Sequence, residues 1–94
     1  MIIEELVVPL LIWVNPQECP ILSVWKYSEG NNNRARSTVF RMEYGPMRLK
    51  IYADVYDHPA RGRSLTLTPK EILADGSEVD TVFRAGTEIS VYGS

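Results

Sequence analysis

The sequence predicts a small, mostly β-sheet domain, an antiparallel β-sandwich or partly open barrel of six or seven strands with at most one short helix. Pro, Gly and Asn interrupt the chain about every ten residues, which suits short strands and tight turns. Several segments also alternate apolar and polar side chains. The chain has 94 residues, of which 45 % are hydrophobic and 23 % charged, so residues 1–94 form one globular domain.

The first apolar segment, residues 6–14, predicts one bent strand or two short ones because Pro9 interrupts it. Proline cannot donate a backbone hydrogen bond to a neighbouring strand, so Pro9 indicates a bulge or an edge position. The rest of this segment is almost continuously apolar. That pattern predicts burial on both faces, in a sandwich, a barrel or an interface.

The N-terminal region also indicates where the protein works. Glu4 and Glu5 stand where a secretory signal carries basic residues. The nine residues 6–14 fall short of the roughly 20 apolar residues that cross a bilayer. Cys19 is the only cysteine and cannot form an intramolecular disulfide, which is typical of a reducing compartment. We therefore expect a soluble, cytoplasmic protein that makes no membrane contact.

Three stretches of different composition lead to the centre of the chain. Residues 15–20 contain two Xaa-Pro steps and predict an irregular connection. Residues 21–28 predict the next strand, with Trp25 and Tyr27 on one face. Residues 29–36 are rich in Gly, Asn and Arg and predict a polar loop.

The best-defined element is a hairpin of residues 38–44 and 47–55 that turns at residues 45–46. In this register Glu43 opposes Arg48 on the solvent face, and a one-residue slip would move charged side chains to the apolar face. On the apolar face the register predicts four cross-strand pairs: Tyr44 with Met47, Met42 with Leu49, Phe40 with Ile51 and Thr38 with Ala53.

The segment after the hairpin leaves two interpretations. Residues 64–68 predict a short strand, and the sequence Thr-Pro-Lys-Glu at its end has the form of a capping box. With proline at the first helical position, this pattern favours a short helix over residues 69–74. The alternative is a hairpin that turns at Asp75-Gly76, which would require an edge position for Pro69.

The remaining segments complete the predicted architecture. Residues 59–63 predict a loop because they combine Pro, Gly and Arg. Residues 78–84 and 87–92 predict two final strands, with Ala85-Gly86 as the bend between them.

The residue types needed for a metal or phosphate site do not occur in the required patterns. One histidine and one cysteine cannot build a structural zinc site, and no local signature joins them as nucleophile and base. The acidic residues Asp75, Glu78 and Asp80 lack the ligand spacing of a calcium loop. The six glycines are scattered and form no phosphate-binding pattern. We therefore predict no cofactor and no metal site.

Asp54, Asp57 and His58 lie close together at the end of the hairpin and leave one catalytic alternative. A carboxylate beside a histidine can act in acid–base catalysis. At a strand end such residues more often serve a turn, with Asp57 accepting local backbone hydrogen bonds before Pro59. We therefore predict that the protein is not an enzyme.

Charge is unevenly distributed along the chain. Residues 26–70 contain nine basic and four acidic residues, whereas residues 1–25 and 71–94 are acidic, and the whole chain has a net charge of −2. Arginines interleave with tyrosines on the outer face of the predicted hairpin, and two flanking loops add paired arginines. Tyr and Arg are favoured anchors at protein interfaces. The predicted partner-binding residues are Arg34, Arg36, Arg41, Arg48, Lys50, Tyr52, Tyr56, Arg61 and Arg63.

These features favour a small, non-catalytic protein-binding module. Cofactor-free β-proteins of this size include the stoichiometric inhibitors that phages direct against larger host complexes, which is an argument from protein type. The alternatives are a single-stranded nucleic-acid-binding β-barrel, which uses cations for phosphates and rings for bases, and a subunit of a phage or other structural assembly. An isoelectric point near 5.3 argues against nucleic acid. The acidic flanks could also pair with the basic middle of a second copy, which leaves a homodimer open.

Overall fold

Segments with alternating apolar side chains form long antiparallel strands in the computed structural model, which describes residues 1–15 and 34–89. The described strands form one open antiparallel sheet in the order β1-β4-β3-β2, and β5 pairs with β4. The prediction of a mostly β fold is confirmed. Within the described residues there is no helix that could span a membrane. The strands are β1 (Leu10–Val14), β2 (Arg34–Tyr44), β3 (Met47–His58), β4 (Gly62–Ile72) and β5 (Glu78–Asp80).

The central hairpin is formed by β2 and β3 in the predicted register as far as Phe40, which opposes Ile51. Gly45 occupies the turn with a φ of 57°, a conformation that glycine adopts without steric cost. The predicted pairing of Thr38 with Ala53 is wrong, because an irregularity between Thr38 and Phe40 shifts the register by one residue. Beyond it Thr38 opposes Tyr52.

The predicted helix over residues 69–74 is wrong, because β4 continues as a strand to Ile72. Pro69 opposes Ile51 of β3 and is buried. On the other side of β4, Pro69 falls between residues 63–67, which pair with β1, and residues 70–72, which pair with β5. Because Pro69 lies at a gap in the pairing on that side, no neighbouring strand needs its missing N–H group. The alternative prediction, a hairpin that turns at Asp75-Gly76, is the one that forms.

The hairpin between β4 and β5 turns through residues 73–77. The N–H of Leu73 donates to the carbonyl of Ser77 at 2.8 Å, and the N–H of Gly76 donates to the carbonyl of Leu73 at 2.9 Å. Gly76 has a φ of 87°. The strand that follows is only three residues long, shorter than the predicted residues 78–84.

The N-terminal residues and the residues after β5 pack against the inner face of the sheet. Ile3, Phe83 and Ile89 are buried against the inward side chains of β3 and β4. The two end segments also bond to each other: the N–H of Ile3 donates to the carbonyl of Thr87 at 2.9 Å, and the N–H of Ile89 donates to the carbonyl of Met1 at 2.7 Å. The hydrophobic core consists of Ile3, Leu49, Ile51, Ala53, Val55, Leu65, Leu67, Phe83 and Ile89.

The apolar segment 6–14 does not have the predicted burial on both faces in the described structure. Only β1 forms within it, and its side chains alternate between half-buried and exposed. Leu11 and Trp13 are 57 % and 44 % exposed, because they lie on the side of the sheet opposite the core. The sandwich arrangement is therefore reduced to one sheet whose inner face is covered.

Some sequence predictions fall on other parts of the chain. The connection at residues 16–20 with Cys19, the strand at residues 21–28 and the end of the predicted strand 87–92 lie outside the described residues. The predicted loop at residues 29–36 is described from Arg34 onward, and there it is wrong, because Arg34 begins β2.

Candidate functional site

The outer face of the sheet, opposite the core, contains most of the residues selected from the sequence. It is formed by every second residue of β3, from Arg48 to His58, and by the residues that oppose them on the neighbouring strands. Arg48, Lys50, Tyr52 and Tyr56 all belong to it. Its two ends differ in chemistry, one being aromatic and the other charged.

The aromatic end consists of Leu11, Trp13, Tyr56, His58 and Arg61. The ring of His58 meets the rings of Trp13 and Tyr56 edge to face, with centroid distances of 6.4 Å and 6.1 Å. The guanidinium carbon of Arg61 lies 5.0 Å from the centroid of the Trp13 ring, within cation–π range. Two strands, β1 and β3, and the turn after β3 thus contribute to this cluster.

His58 also holds the turn between β3 and β4. Its Nδ1 atom accepts hydrogen bonds from the backbone N–H groups of Ala60 and Arg61, each at 3.1 Å. The turn that positions Arg61 over Trp13 therefore depends on the imidazole that packs against the same tryptophan.

The side chains of Asp57 and His58 lie on opposite faces of the sheet, because successive residues of a strand point to opposite sides. Asp57 lies on the inner face, where its carboxylate accepts two hydrogen bonds from the buried guanidinium of Arg63. The Nε–Oδ1 distance is 2.6 Å and the Nη2–Oδ2 distance is 3.2 Å, a bidentate arrangement. The turn acceptor expected at Asp57 is supplied by His58 instead, and Arg63 does not belong to the outer face.

At the other end, three cations oppose one another directly across β2, β3 and β4. Arg41 opposes Lys50, and Lys50 opposes Lys70; we call these three residues the cationic row. Short strand β5 supplies two carboxylates to it. Glu78 accepts a hydrogen bond from the Tyr52 hydroxyl at 2.6 Å and one from Lys50 at 3.4 Å, while Asp80 pairs with Lys70.

These contacts change the pKa values of Lys50, Glu78 and Asp80. The Tyr52 hydroxyl and the Glu78 carboxylate favour the ammonium form of Lys50 and raise its pKa. The hydrogen bond from Tyr52, together with the charge of Lys50, lowers the pKa of Glu78. Lys70 lowers the pKa of Asp80 in the same way, through a hydrogen bond and its charge. The acidic end of the chain thus neutralises part of the basic middle within one molecule.

An open groove of about 510 Å³ lies beside the cationic row. Arg48 projects here and donates a hydrogen bond to the backbone carbonyl of Leu73 at 3.3 Å. Glu43 opposes Arg48 across the hairpin, as predicted. The groove is lined by side chains that include Arg41, Glu43, Arg48, Lys50, Ile72 and Glu78.

The structure therefore divides the predicted partner-binding residues. Arg41, Arg48, Lys50, Tyr52 and Tyr56 share the outer face, and Arg61 joins it from the turn. The backbone of β2 places Arg34 opposite Tyr56 and Arg36 opposite Asp54, so these two positions also belong to the outer face, in a strand and not in a loop.

The predicted partner-binding residues did not include Leu11, Trp13, His58 or Lys70, although His58 was a candidate in the catalytic alternative. The alternation of β4 carried a signal for Lys70, because it has the parity opposite to buried Leu65 and Leu67. Trp13 had no comparable signal, since apolar residues surround it on both sides in sequence.

No known protein family, curated protein or solved structure matches this chain. The interpretation of the outer face therefore depends on its own geometry and chemistry.

Proposed function

We propose that the protein is a non-catalytic protein-binding module that uses the outer face of its sheet. The observation that carries this proposal is the exposure of Leu11 and Trp13, at 57 % and 44 %, beside Tyr56 and Arg61. Trp, Tyr and Arg are the side chains that contribute most binding energy at protein interfaces. Strand β1 is paired to the central sheet, so these anchors stand on a rigid support.

The balance of charges at the charged end of the outer face favours protein over nucleic acid as the partner. The charged end has four cations, Arg41, Arg48, Lys50 and Lys70, but Glu43, Glu78 and Asp80 lie among them. A nucleic-acid platform gains most of its affinity from cations that remain available to phosphates. A mixed surface with an apolar anchor suits a protein surface better.

In this proposal the module acts by covering a surface of its partner. Association with an exposed aromatic cluster removes that surface from other ligands without any chemical step. A stoichiometric inhibitor of a larger complex, as some phages make, is one form of this function. The cytoplasmic location expected from the sequence is part of the same proposal.

Affinity capture from a lysate of the native cells tests the proposal when wild type is compared with two double variants. Leu11→Ala/Trp13→Ala removes the apolar anchors of the outer face. Ile2→Ala/Leu6→Ala removes two residues that are each 64 % exposed but lie outside the sheet. We expect wild type to capture one protein in stoichiometric amount. The Leu11→Ala/Trp13→Ala variant should bind that protein at least tenfold more weakly, about the effect of losing one hot spot, and the Ile2→Ala/Leu6→Ala control should bind it as wild type does.

Nuclease and salt treatment separate the alternatives. Retention that disappears with nuclease, or that falls steeply with salt, would replace a protein partner by nucleic acid. Equal retention by both double variants would show that the outer face is not the binding surface. An empty capture from a chain that is oligomeric at the same concentration would favour self-assembly instead.

A further inference from the structure

The cationic row places like charges in unfavourable positions. Arg41 and Lys50 oppose each other directly on β2 and β3, and Lys50 and Lys70 do so on β3 and β4. Directly opposed side chains of antiparallel strands have Cβ atoms about 4.5–5.5 Å apart, and like charges there destabilise the pair. The row therefore lowers the stability of the sheet unless anions lie against it.

Strand β5 supplies anions to two of the three positions. Glu78 reaches Lys50, and Asp80 reaches Lys70. At the third position, the Arg41 side chain is exposed and forms no ion pair with the residues that the structure describes. Repulsion in the row is thus compensated at its β4 end and left uncompensated at its β2 end.

Strand β5 is also an example of what the row binds. It is a short extended segment whose carboxylates, two residues apart, project from one side of the strand onto neighbouring cations. The cation next to Arg41 on the hairpin, Arg48, borders the groove of about 510 Å³. An incoming extended segment with a carboxylate would meet Arg41 and Arg48 as β5 meets Lys50 and Lys70.

We propose that the groove beside Arg41 and Arg48 binds a carboxylate from an extended acidic segment of the protein partner. This inference rests on the proposed function and specifies the chemistry of the partner at the charged end of the face. Glu43 opposes Arg48, so the groove has one positive charge in excess rather than two. That balance suits a single carboxylate better than a phosphate chain, which requires several cations.

The distance between the two ends sets the size of the segment. Arg48 and Tyr56 are eight residues apart on β3, which corresponds to about 26 Å at roughly 3.3 Å per residue. An extended segment of about eight residues reaches from the groove to Trp13. Such a segment needs an acidic residue near one end and an apolar or aromatic residue near the other.

A displayed library of random peptides about twelve residues long, long enough to span both ends, provides the probe. Selections use wild type, Arg41→Glu and Trp13→Ala in parallel. Wild type should enrich peptides with Asp or Glu near one end and an apolar residue near the other. Arg41→Glu should bind these peptides at least tenfold more weakly and select Lys or Arg at the same position, because the charge of the groove is reversed.

The parallel selections distinguish the acidic-segment inference from the proposed protein-binding function. Peptides that depend on Trp13 but bind equally to Arg41→Glu would overturn the acidic segment and leave the binding module intact. No enrichment by wild type, or enrichment that ignores both substitutions, would overturn both.

The melting temperature of Arg41→Glu gives a second test that needs no ligand. Because the substitution places a carboxylate opposite Lys50, we expect a higher melting temperature at low salt. The difference should shrink at about 1 M salt, where surface charges are screened. A lower melting temperature would mean that Arg41 serves the fold, and this would overturn the inference.

Discussion

The two faces of the same sheet differ in burial and in the types of residue that they carry. On the inner face Ile51, Leu65 and Leu67 are fully buried beneath the chain ends. On the outer face the alternate residues of the same strands are mostly polar or aromatic, among them Lys50, Tyr56 and His58. Burial of apolar surface is the dominant source of stability, so the inner face supports the fold while the outer face is available for recognition. The comparison predicts that substitutions on the two faces have separable effects.

The largest effect is expected for Phe83→Ala, which should lower the free energy of unfolding by about 3–5 kcal/mol. Phe83 is fully buried in the core, so truncation loses its apolar burial and leaves a cavity. Leu11→Ala, on the outer face, should change the same free energy by less than about 0.5 kcal/mol. Urea unfolding of both variants measures the difference, and similar losses would refute the division of roles between the faces.

A smaller effect is expected for His58→Ala, which should lower the free energy of unfolding by about 1 kcal/mol. The substitution removes the acceptor for the N–H groups of Ala60 and Arg61. His58→Asn is the matched control, since a side-chain amide oxygen can accept from the backbone two residues on. Hydrogen exchange at Ala60 and Arg61 should accelerate in the alanine variant and remain slower in the asparagine variant; equal exchange would exclude the role given to Nδ1.

The smallest effect concerns pH and the carboxylates of β5. The pKa values of Glu78 and Asp80 are lowered from ordinary values of 4.5 and 3.8. Carboxylates with lowered pKa values stabilise the folded state above their ordinary pKa, and this contribution is lost as the pH falls below it. The melting temperature should therefore decline below about pH 4.5.

The double variant Glu78→Gln/Asp80→Asn should show less of this decline than wild type. Glu4→Gln, which lies outside the sheet, serves as the control. Melting curves between about pH 3 and pH 7 at low salt provide the measurement. A double variant with the acid sensitivity of wild type would show that the pairs of β5 contribute nothing to the folded state.

The sequence was most informative where two patterns agreed. Alternation in two adjacent segments determined the register of the hairpin from Tyr44 to Phe40, because a slip would bury charges. The register beyond Thr38 was missed, because the prediction continued one phase of alternation through the strand whereas the inserted residue of the bulge reverses that phase. Arg63 was assigned to a loop, so its inward side chain was not predicted, although in β4 it shares the parity of Leu65 and Leu67.

Local signals failed where long-range pairing decided the structure. The capping-box pattern at Thr68 favours a helix, yet strand pairing on both sides of β4 overrides it. Trp13 belongs to an apolar run that resembles a buried strand, and its exposure follows from the absence of a second layer over the outer face in the described structure. The aromatic end of the candidate site could therefore not be located from sequence.

The way in which the chain ends cover the inner face has a consequence for the order of folding. Strands β2, β3 and β4 are neighbours in the chain as well as in the sheet, so this meander can form with little loop-closure entropy. Strand β1 pairs across a far longer interval, Leu10 with Leu67, and Ile3 meets Thr87 across almost the entire described chain. Pairing between residues far apart in sequence slows folding, so we expect the meander to form first. Until the ends arrive, its core-forming side chains remain exposed to water, so the last step of folding is also the one that protects the chain from aggregation.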